Sequence, residues 1–125
     1  MLSEDTIFPT GKLPMPFLQQ LLQRYIGHDA RLVAGPAIGE DVAAVDMGDR
    51  YIVIKTDPIT FASDQIGWYA VHVNANDVAT SGAEPLWMLN TIILPQGKTT
   101  PNLVESIFRQ LKEACDDLGI TLVGG

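Results

Sequence analysis

The chain has 125 residues, of which 46% are hydrophobic, and its formal net charge at pH 7 is −7 with only eight Lys and Arg residues. This length and apolar content predict one globular domain, residues 1–125, with a single core. The acidic balance excludes a nucleic-acid or anionic-membrane surface, and no run approaches the ~20 apolar residues of a membrane-spanning helix.

The first half of the chain has the patterns of a helix and a hairpin. Apolar residues recur at helical spacing from Phe17 to Ile26, and Gly27 is expected to end this helix. Two β-rich runs follow at residues 42–47 and 51–57, joined by a short segment that contains glycine. This pattern predicts a hairpin of antiparallel strands.

The second half begins with a small-residue and apolar stretch that predicts a largely buried helix. Asp64 is its expected N-cap and Gly82 its expected stop. A strand is predicted over residues 86–94, because this run is apolar and Pro95 ends it.

A third helix is predicted from its start signal, its apolar face and its stop signal. Thr100 is the expected cap and Gly119 the expected end, and Cys115 lies on the apolar face. Cys115 is the only cysteine, which excludes an intramolecular disulfide and favours a cytoplasmic protein.

The order of these elements predicts an α+β fold in which helices pack on one face of a mainly antiparallel sheet. A final strand at residues 120–123 leads directly into Gly124 and Gly125. Because natural chains rarely end on a core-like strand, we expect a C-terminal domain beyond these residues in the intact protein.

Three aspartates occur where apolar or neutral residues are expected. Asp41 precedes the first hairpin strand and Asp57 follows the second, so strand pairing would bring their loops to one side of the sheet. Asp77 is a single carboxylate inside a helix that is otherwise free of charge. Carboxylates that meet repel each other unless a cation joins them, and oxygen ligands suit magnesium.

Plainer interpretations of the same residues stay open. Asp41 and Asp57 also fit ordinary turn residues, since Asp before Pro commonly opens a turn. Asp77 also fits a partly exposed side chain that accepts local hydrogen bonds. Asn74 and Asn76 are unfavourable in a helix rich in Ala and Val, which indicates a purpose for the polar cluster.

Four short motifs occur together in the order and spacing of one superfamily. They are residues 39–45, Thr56-Asp57-Pro58, residues 76–85 and Gly124-Gly125. On these motifs the chain resembles the N-terminal domain shared by aminoimidazole ribonucleotide (AIR) synthetase, thiamine-phosphate kinase, selenophosphate synthetase and the hydrogenase-maturation protein HypE.

The resemblance implies an ATP-dependent enzyme whose N-terminal domain binds Mg-ATP and forms a homodimer through its sheet. The implied magnesium ligands are Asp41, Asp57 and Asp77, and the implied nucleotide contacts are Gly39, Thr56 and Asn76. The implied chemistry is phosphoryl transfer to an oxygen of a small-molecule or carbamoyl-type substrate. Family sites also draw on the second domain, so residues 1–125 alone are expected to be inactive.

The implied acceptor substrate depends on the subfamily. Residues 76–85 are most similar to HypE and its relatives, for which the implied activity is ATP-dependent dehydration of a carbamoyl group in hydrogenase maturation. Thiamine-phosphate kinase and AIR synthetase activities stay open, as does a non-catalytic dimerisation or nucleotide-binding module. Glu40 replaces the Asp common in the family, and the acidic-histidine stretch of thiamine-phosphate kinase is missing from residues 59–65.

Overall fold

The computed structural model describes residues 5–60 and 64–125. Its helices are α1 (Met15–Tyr25), α2 (Ile66–Thr80) and α3 (Pro101–Leu118). Its strands are β1 (Leu32–Ala34), β2 (Ala43–Asp46), β3 (Tyr51–Ile54), β4 (Trp87–Leu89) and β5 (Thr121–Gly124). The chain divides into two compact units, Met1–Ile52 and Val53–Gly125.

In the first unit, α1 lies close to its predicted bounds and is followed by strands of a three-stranded sheet with the order β1-β2-β3. β1 pairs antiparallel with β2, and Leu32 lies opposite Val45. The sequence did not predict β1, because three residues are too few to show strand alternation. The predicted turn between β2 and β3 is closed by the Met47 N–H, which donates to the Arg50 carbonyl at 2.9 Å.

Strand β3 ends at Ile54, three residues earlier than predicted. The chain from Lys55 to Thr60 has no regular secondary structure. Pro58 lies within this segment and has no N–H to donate to a neighbouring strand. Asp57 therefore lies in a loop after the strand, which leaves its side chain available for contacts outside the sheet.

Helix α2 begins at Ile66, and the prediction that Asp64 caps it is wrong. The N-cap position is Gln65, whose side chain makes no capping hydrogen bond. The carboxamide oxygen of Gln110, in α3, accepts the Gly67 N–H at 3.0 Å instead. At the other end Gly82 has a positive φ of 84° and its N–H donates to the Ala79 carbonyl, so Gly82 ends the helix as expected.

Helix α3 follows its sequence signals closely. The Thr100 hydroxyl accepts the Leu103 N–H at 3.2 Å, and Gly119 takes the left-handed conformation with φ 68°. The apolar face of α3 packs on α2 and β5 to form the core of the second unit. The buried side chains of this core are Val71, Ala75, Ile107, Leu111, Ala114, Cys115 and Ile120. The prediction that Cys115 belongs to the core is therefore confirmed.

Strands β4 and β5 form a separate parallel pair, in which Trp87 lies opposite Thr121 and Met88 opposite Leu122. Parallel strands need a long crossover connection, and α3 supplies it. β4 has three residues and is shorter than the strand predicted over residues 86–94.

Helices and strands thus combine in the predicted α+β class, with antiparallel pairing of β1 and β2 and parallel pairing of β4 and β5. In the part of the chain that the structure describes, no helix has the length and apolar character required to cross a membrane.

Candidate metal-binding site

The second unit brings two of the three predicted aspartates to one cation. The Lys55 ammonium Nζ lies 3.0 Å from Oδ2 of Asp77 and 3.9 Å from Oδ2 of Asp57. The side chains of Lys55, Asp77 and Asp57 are 12%, 26% and 45% exposed. Asp77 comes from the last turn of α2 and Asp57 from the loop after β3, so tertiary packing creates the pair.

Asn74 fixes the loop of Asp57 onto α2. Its side-chain Nδ2 donates to the Asp57 carbonyl at 3.1 Å and to the Ala70 carbonyl at 2.9 Å. Asn74 and Asp77 are three positions apart in α2 and therefore lie on the same face of the helix. Asn74 thus positions the backbone that carries one carboxylate beside the helix that carries the other.

A positive charge near the C-terminal end of α2 is electrostatically favourable. The unsatisfied carbonyls there give the helix end a partial negative charge, and a carboxylate at Asp77 adds to it. The last turn of α2 contains no basic residue. A cation between Asp57 and Asp77 relieves both the helix end and the repulsion of the two carboxylates.

The donor set fits magnesium bound together with a nucleotide. Within residues 5–60 and 64–125, no group of three or more His, Cys, Asp or Glu side chains is assembled that would hold a metal alone. Magnesium commonly takes one or two carboxylates and completes its coordination with water and phosphate oxygens. In addition, the side-chain oxygen of Asn74 is buried near the two carboxylates and accepts no hydrogen bond from the described residues.

The other four predicted site residues are Gly39, Asp41, Thr56 and Asn76. Gly39 and Asp41 belong to the first unit. Gly39, with a positive φ of 90°, lies within a turn that the Glu40 N–H closes by donating to the Ala37 carbonyl at 3.1 Å, and Asp41 follows this turn. Thr56 and Asn76 are exposed residues of the second unit. The structure therefore brings together Asp57 and Asp77. The binding roles predicted for these two residues and for the other four stay predictions.

Sequence reasoning missed Lys55 as a member of the site and assigned no role to Asn74. The interpretation of Asp77 as an isolated charge is corrected by the Lys55 ion pair. No local pattern identifies Lys55, because it lies after the last residue of β3 and reaches Asp77 through tertiary packing. A signal for Asn74 was present in its three-residue spacing from Asp77.

The perturbed aspartates elsewhere belong to simple surface pairs. Hydrogen bonds from Arg31 hold the pKa of Asp29 well below its usual range, and a hydrogen bond from Arg50 lowers the pKa of Asp49. Both pairs join residues that are close in the sequence and fully exposed. Such pairs stabilise turns modestly and form no binding site.

An α+β domain with two carboxylates converging on a cation at a helix end defines a candidate metal-binding module. Residues 39–125 match the family described as AIR synthase related protein, N-terminal domain, and the chain belongs to this family.

Two relatives and one solved structure illustrate the similarity. The chain is 34% identical over 116 residues to a thiamine-monophosphate kinase of Archaeoglobus fulgidus. This alignment covers 86% of the chain and 37% of the kinase. It is 32% identical over 91 residues to a hydrogenase expression/formation protein of Methanocaldococcus jannaschii. This alignment covers 69% of the chain and 27% of that protein. The chain thus spans about a third of the length of these curated relatives.

The structure described as AaThiL complexed with AMPPCP and TMP has the same fold. Its TM-score is 0.66 at 24% sequence identity, over 88% of this chain and 34% of that chain.

Proposed function

We propose that this chain is the ATP- and magnesium-binding N-terminal domain of an ATP-dependent enzyme that transfers a phosphoryl group to a substrate oxygen. The observation that carries the proposal is the convergence of the Asp57 and Asp77 carboxylates on the Lys55 ammonium, near the buried side-chain oxygen of Asn74. The family relationship gives this pair a context, because kinases are among the relatives.

In this proposal Asp57 and Asp77 hold magnesium on the nucleotide phosphates, and Asp41 is a third ligand. Magnesium bound there would neutralise charge that develops on the phosphates during phosphoryl transfer. Gly39, Thr56 and Asn76 contact the nucleotide. Asn74 positions the Asp57 loop through its hydrogen bond to the Asp57 carbonyl.

Two of the candidate acceptors are suggested by the relatives described above, and AIR synthetase activity stays open beside them. Thiamine monophosphate is favoured by the Archaeoglobus fulgidus kinase, which matches 86% of the chain. A carbamoyl group is the acceptor that the resemblance to HypE implies, and the hydrogenase expression/formation protein of Methanocaldococcus jannaschii is the relative that agrees with this alternative. Incubation of the intact protein with ATP and each acceptor, followed by product analysis, decides between them.

We also propose that residues 1–125 alone turn over little or no ATP. The chain covers only 37% of the length of the Archaeoglobus fulgidus kinase, so groups outside it are expected to complete the active site. Robust magnesium-dependent turnover by the isolated chain would contradict this placement of the site.

The test of the proposed function is Asp77→Asn in the intact protein. The substitution keeps the side-chain shape but removes the charge, so we expect Mg-ATP affinity to fall about tenfold or more and to lose its dependence on magnesium. Loss of the ion pair with Lys55 should lower stability by about 1 kcal/mol or more, because Lys55 is only 12% exposed and would keep only the more distant Asp57 as an anion.

Glu84→Gln is the matched control, since Glu84 is an exposed carboxylate of the same unit. Calorimetric titration with Mg-ATP and a melting curve are measured on both variants. A clearly destabilised Asp77→Asn protein with unchanged Mg-ATP affinity would remove Asp77 from the site.

A further inference from the structure

Lys55 occupies the position that a cation shared by Asp57 and Asp77 would take. Its Nζ is within 4 Å of an oxygen of each carboxylate, at 3.0 and 3.9 Å. Its side chain is also the least exposed of the three, at 12%. An ammonium so little exposed needs anions beside it, and two separate elements supply them.

A divalent cation that bound Oδ2 of Asp77 would compete with Lys55 for this oxygen. Two positive centres at the same carboxylate oxygen would repel each other, and the repulsion is strong where little solvent separates them. The lysine head group is carried on a flexible four-carbon stem, so it can leave the carboxylate without a change in the backbone.

We propose that Lys55 is a displaceable counter-ion of the metal site. It neutralises Asp57 and Asp77 in the absence of a divalent cation and leaves Asp77 when the cation binds. This inference rests on the proposed function, which assigns magnesium to the same carboxylates. Its consequence is that Lys55 weakens the binding of the metal alone, because binding requires the Lys55–Asp77 ion pair to break.

The test is calorimetric titration of Mg²⁺, without nucleotide, into the intact wild-type protein and Lys55→Met. Methionine keeps the apolar stem and removes the ammonium. We expect Lys55→Met to bind Mg²⁺ about tenfold more tightly than the wild type. We also expect its melting temperature without metal to fall and to recover more than that of the wild type when Mg²⁺ is added.

Lys112→Met is the matched control, because Lys112 also forms an ion pair, with Asp116, on the exposed face of α3. It removes the same charge from the same unit without touching Asp57 or Asp77. Its Mg²⁺ affinity should equal that of the wild type. An equal gain in both variants would mean that net charge alone is responsible and would overturn the role of Lys55.

The remaining outcomes separate this inference from the proposed function. If the wild type binds Mg²⁺ and Asp77→Asn does not, but Lys55→Met binds equally or more weakly than the wild type, the inference is overturned and the proposed function stands. If neither Mg²⁺ nor Mg-ATP binding responds to Asp77→Asn, the proposed function fails and the inference fails with it.

A second measurement uses only the wild-type protein. In the wild-type protein the ¹³Cε resonance of Lys55 should shift on addition of Mg²⁺, because its carboxylate partner is lost. The resonance of Lys112 should stay in place. A Lys55 resonance that does not move at Mg²⁺ saturation would overturn the proposal.

Discussion

Gly67 of α2 is hydrogen-bonded to Gln110 of α3, and the two residues can lie this close because Gly67 has no side chain. The Gly67 N–H donates to Oε1 of Gln110 at 3.0 Å. A Cβ on Gly67 would lie 2.8 Å from Cβ of Gln110 and 2.8 Å from the carbonyl oxygen of Ile107. Because part of this contact is with the backbone of α3, a rotamer change cannot relieve it. Gly67 therefore allows the two helices to pack closely.

We expect Gly67→Ala to destabilise the protein although alanine favours helices. The propensity gain is about 1 kcal/mol, whereas overpacking at a tight helix contact costs about 1–3 kcal/mol. Urea unfolding measures the difference. Ala79→Gly, at an exposed position in the last turn of α2, reports the propensity term alone and should cost no more than about 1 kcal/mol. A Gly67→Ala protein more stable than the wild type would show that the helices can separate without cost.

Gln110→Ala should weaken the start of α2, although Gln110 itself belongs to α3. Its Oε1 accepts the Gly67 N–H, and its Nε2 donates to the Asp64 carbonyl at 2.9 Å. Loss of a helix cap typically costs about 1 kcal/mol, and we expect a loss of about 1–2 kcal/mol here.

The measurement for Gln110 is again urea unfolding, with Arg109→Ala as the control. Arg109 is exposed on α3, so its removal should change stability by no more than about 0.5 kcal/mol. Equal stabilities of the two variants would contradict the capping role of Gln110.

These contacts explain which helix bounds the sequence predicts. Both ends of α3 are set by local residues, Thr100 as the cap and Gly119 in the left-handed conformation, and both are correctly predicted. The start of α2 depends on Gln110, which is 43 positions away from Gly67. No pattern near Asp64 contains that information.

The residues of the candidate site also differ in whether the local sequence identifies them. Asp77 is identifiable from the sequence because a charge in an apolar helix needs a partner. The identity of that partner is not, because Lys55 reaches Asp77 only through the packing of the segment after β3 against α2. Likewise, the hydrogen bond from Asn74 to the Asp57 carbonyl spans 17 positions. Local patterns therefore predict the acidic residues, and tertiary packing decides their neighbours.

The stability of the protein should fall in alkaline solution through Cys115. This thiol is 1% exposed, and its burial, together with the charge of Asp116, raises its pKa above the ordinary value of 9.0. In the unfolded chain the thiol ionises at its ordinary pKa, so above about pH 9 the unfolded state binds fewer protons than the folded state. The stabilising contribution is complete below that pH and is lost as pH rises through the folded-state pKa.

Cys115→Ala isolates this contribution, because every other titrating group is shared with the wild type. The variant should be less stable near neutral pH, since it removes a buried sulfur atom. From about pH 8 to about pH 10.5, however, its melting temperature should fall less steeply than that of the wild type. If the melting temperature falls equally steeply with pH in both proteins, Cys115 does not contribute to the loss of stability in alkaline solution.

The intact protein is expected to form a homodimer through strand β3. The strand order β1-β2-β3 leaves β3 at an edge of its sheet, with backbone groups available for pairing. Apolar side chains accompany them, since Tyr51 is 65% exposed and Ile54 is 55% exposed. Pairing of two β3 strands across a twofold axis would satisfy the backbone groups and cover these side chains.

Tyr51→Glu tests this dimer by placing a charge from each subunit in the apolar interface. We expect the wild type to sediment as a dimer and Tyr51→Glu to dissociate at least about tenfold more readily, because a charge that loses its water without a partner opposes association. Val33→Glu is the control, since Val33 is a 55% exposed residue of β1 at the opposite edge. Sedimentation velocity over a broad concentration range makes the comparison. A wild type that is monomeric throughout that range, or a dimer that Val33→Glu disrupts and Tyr51→Glu does not, would exclude β3 as the interface.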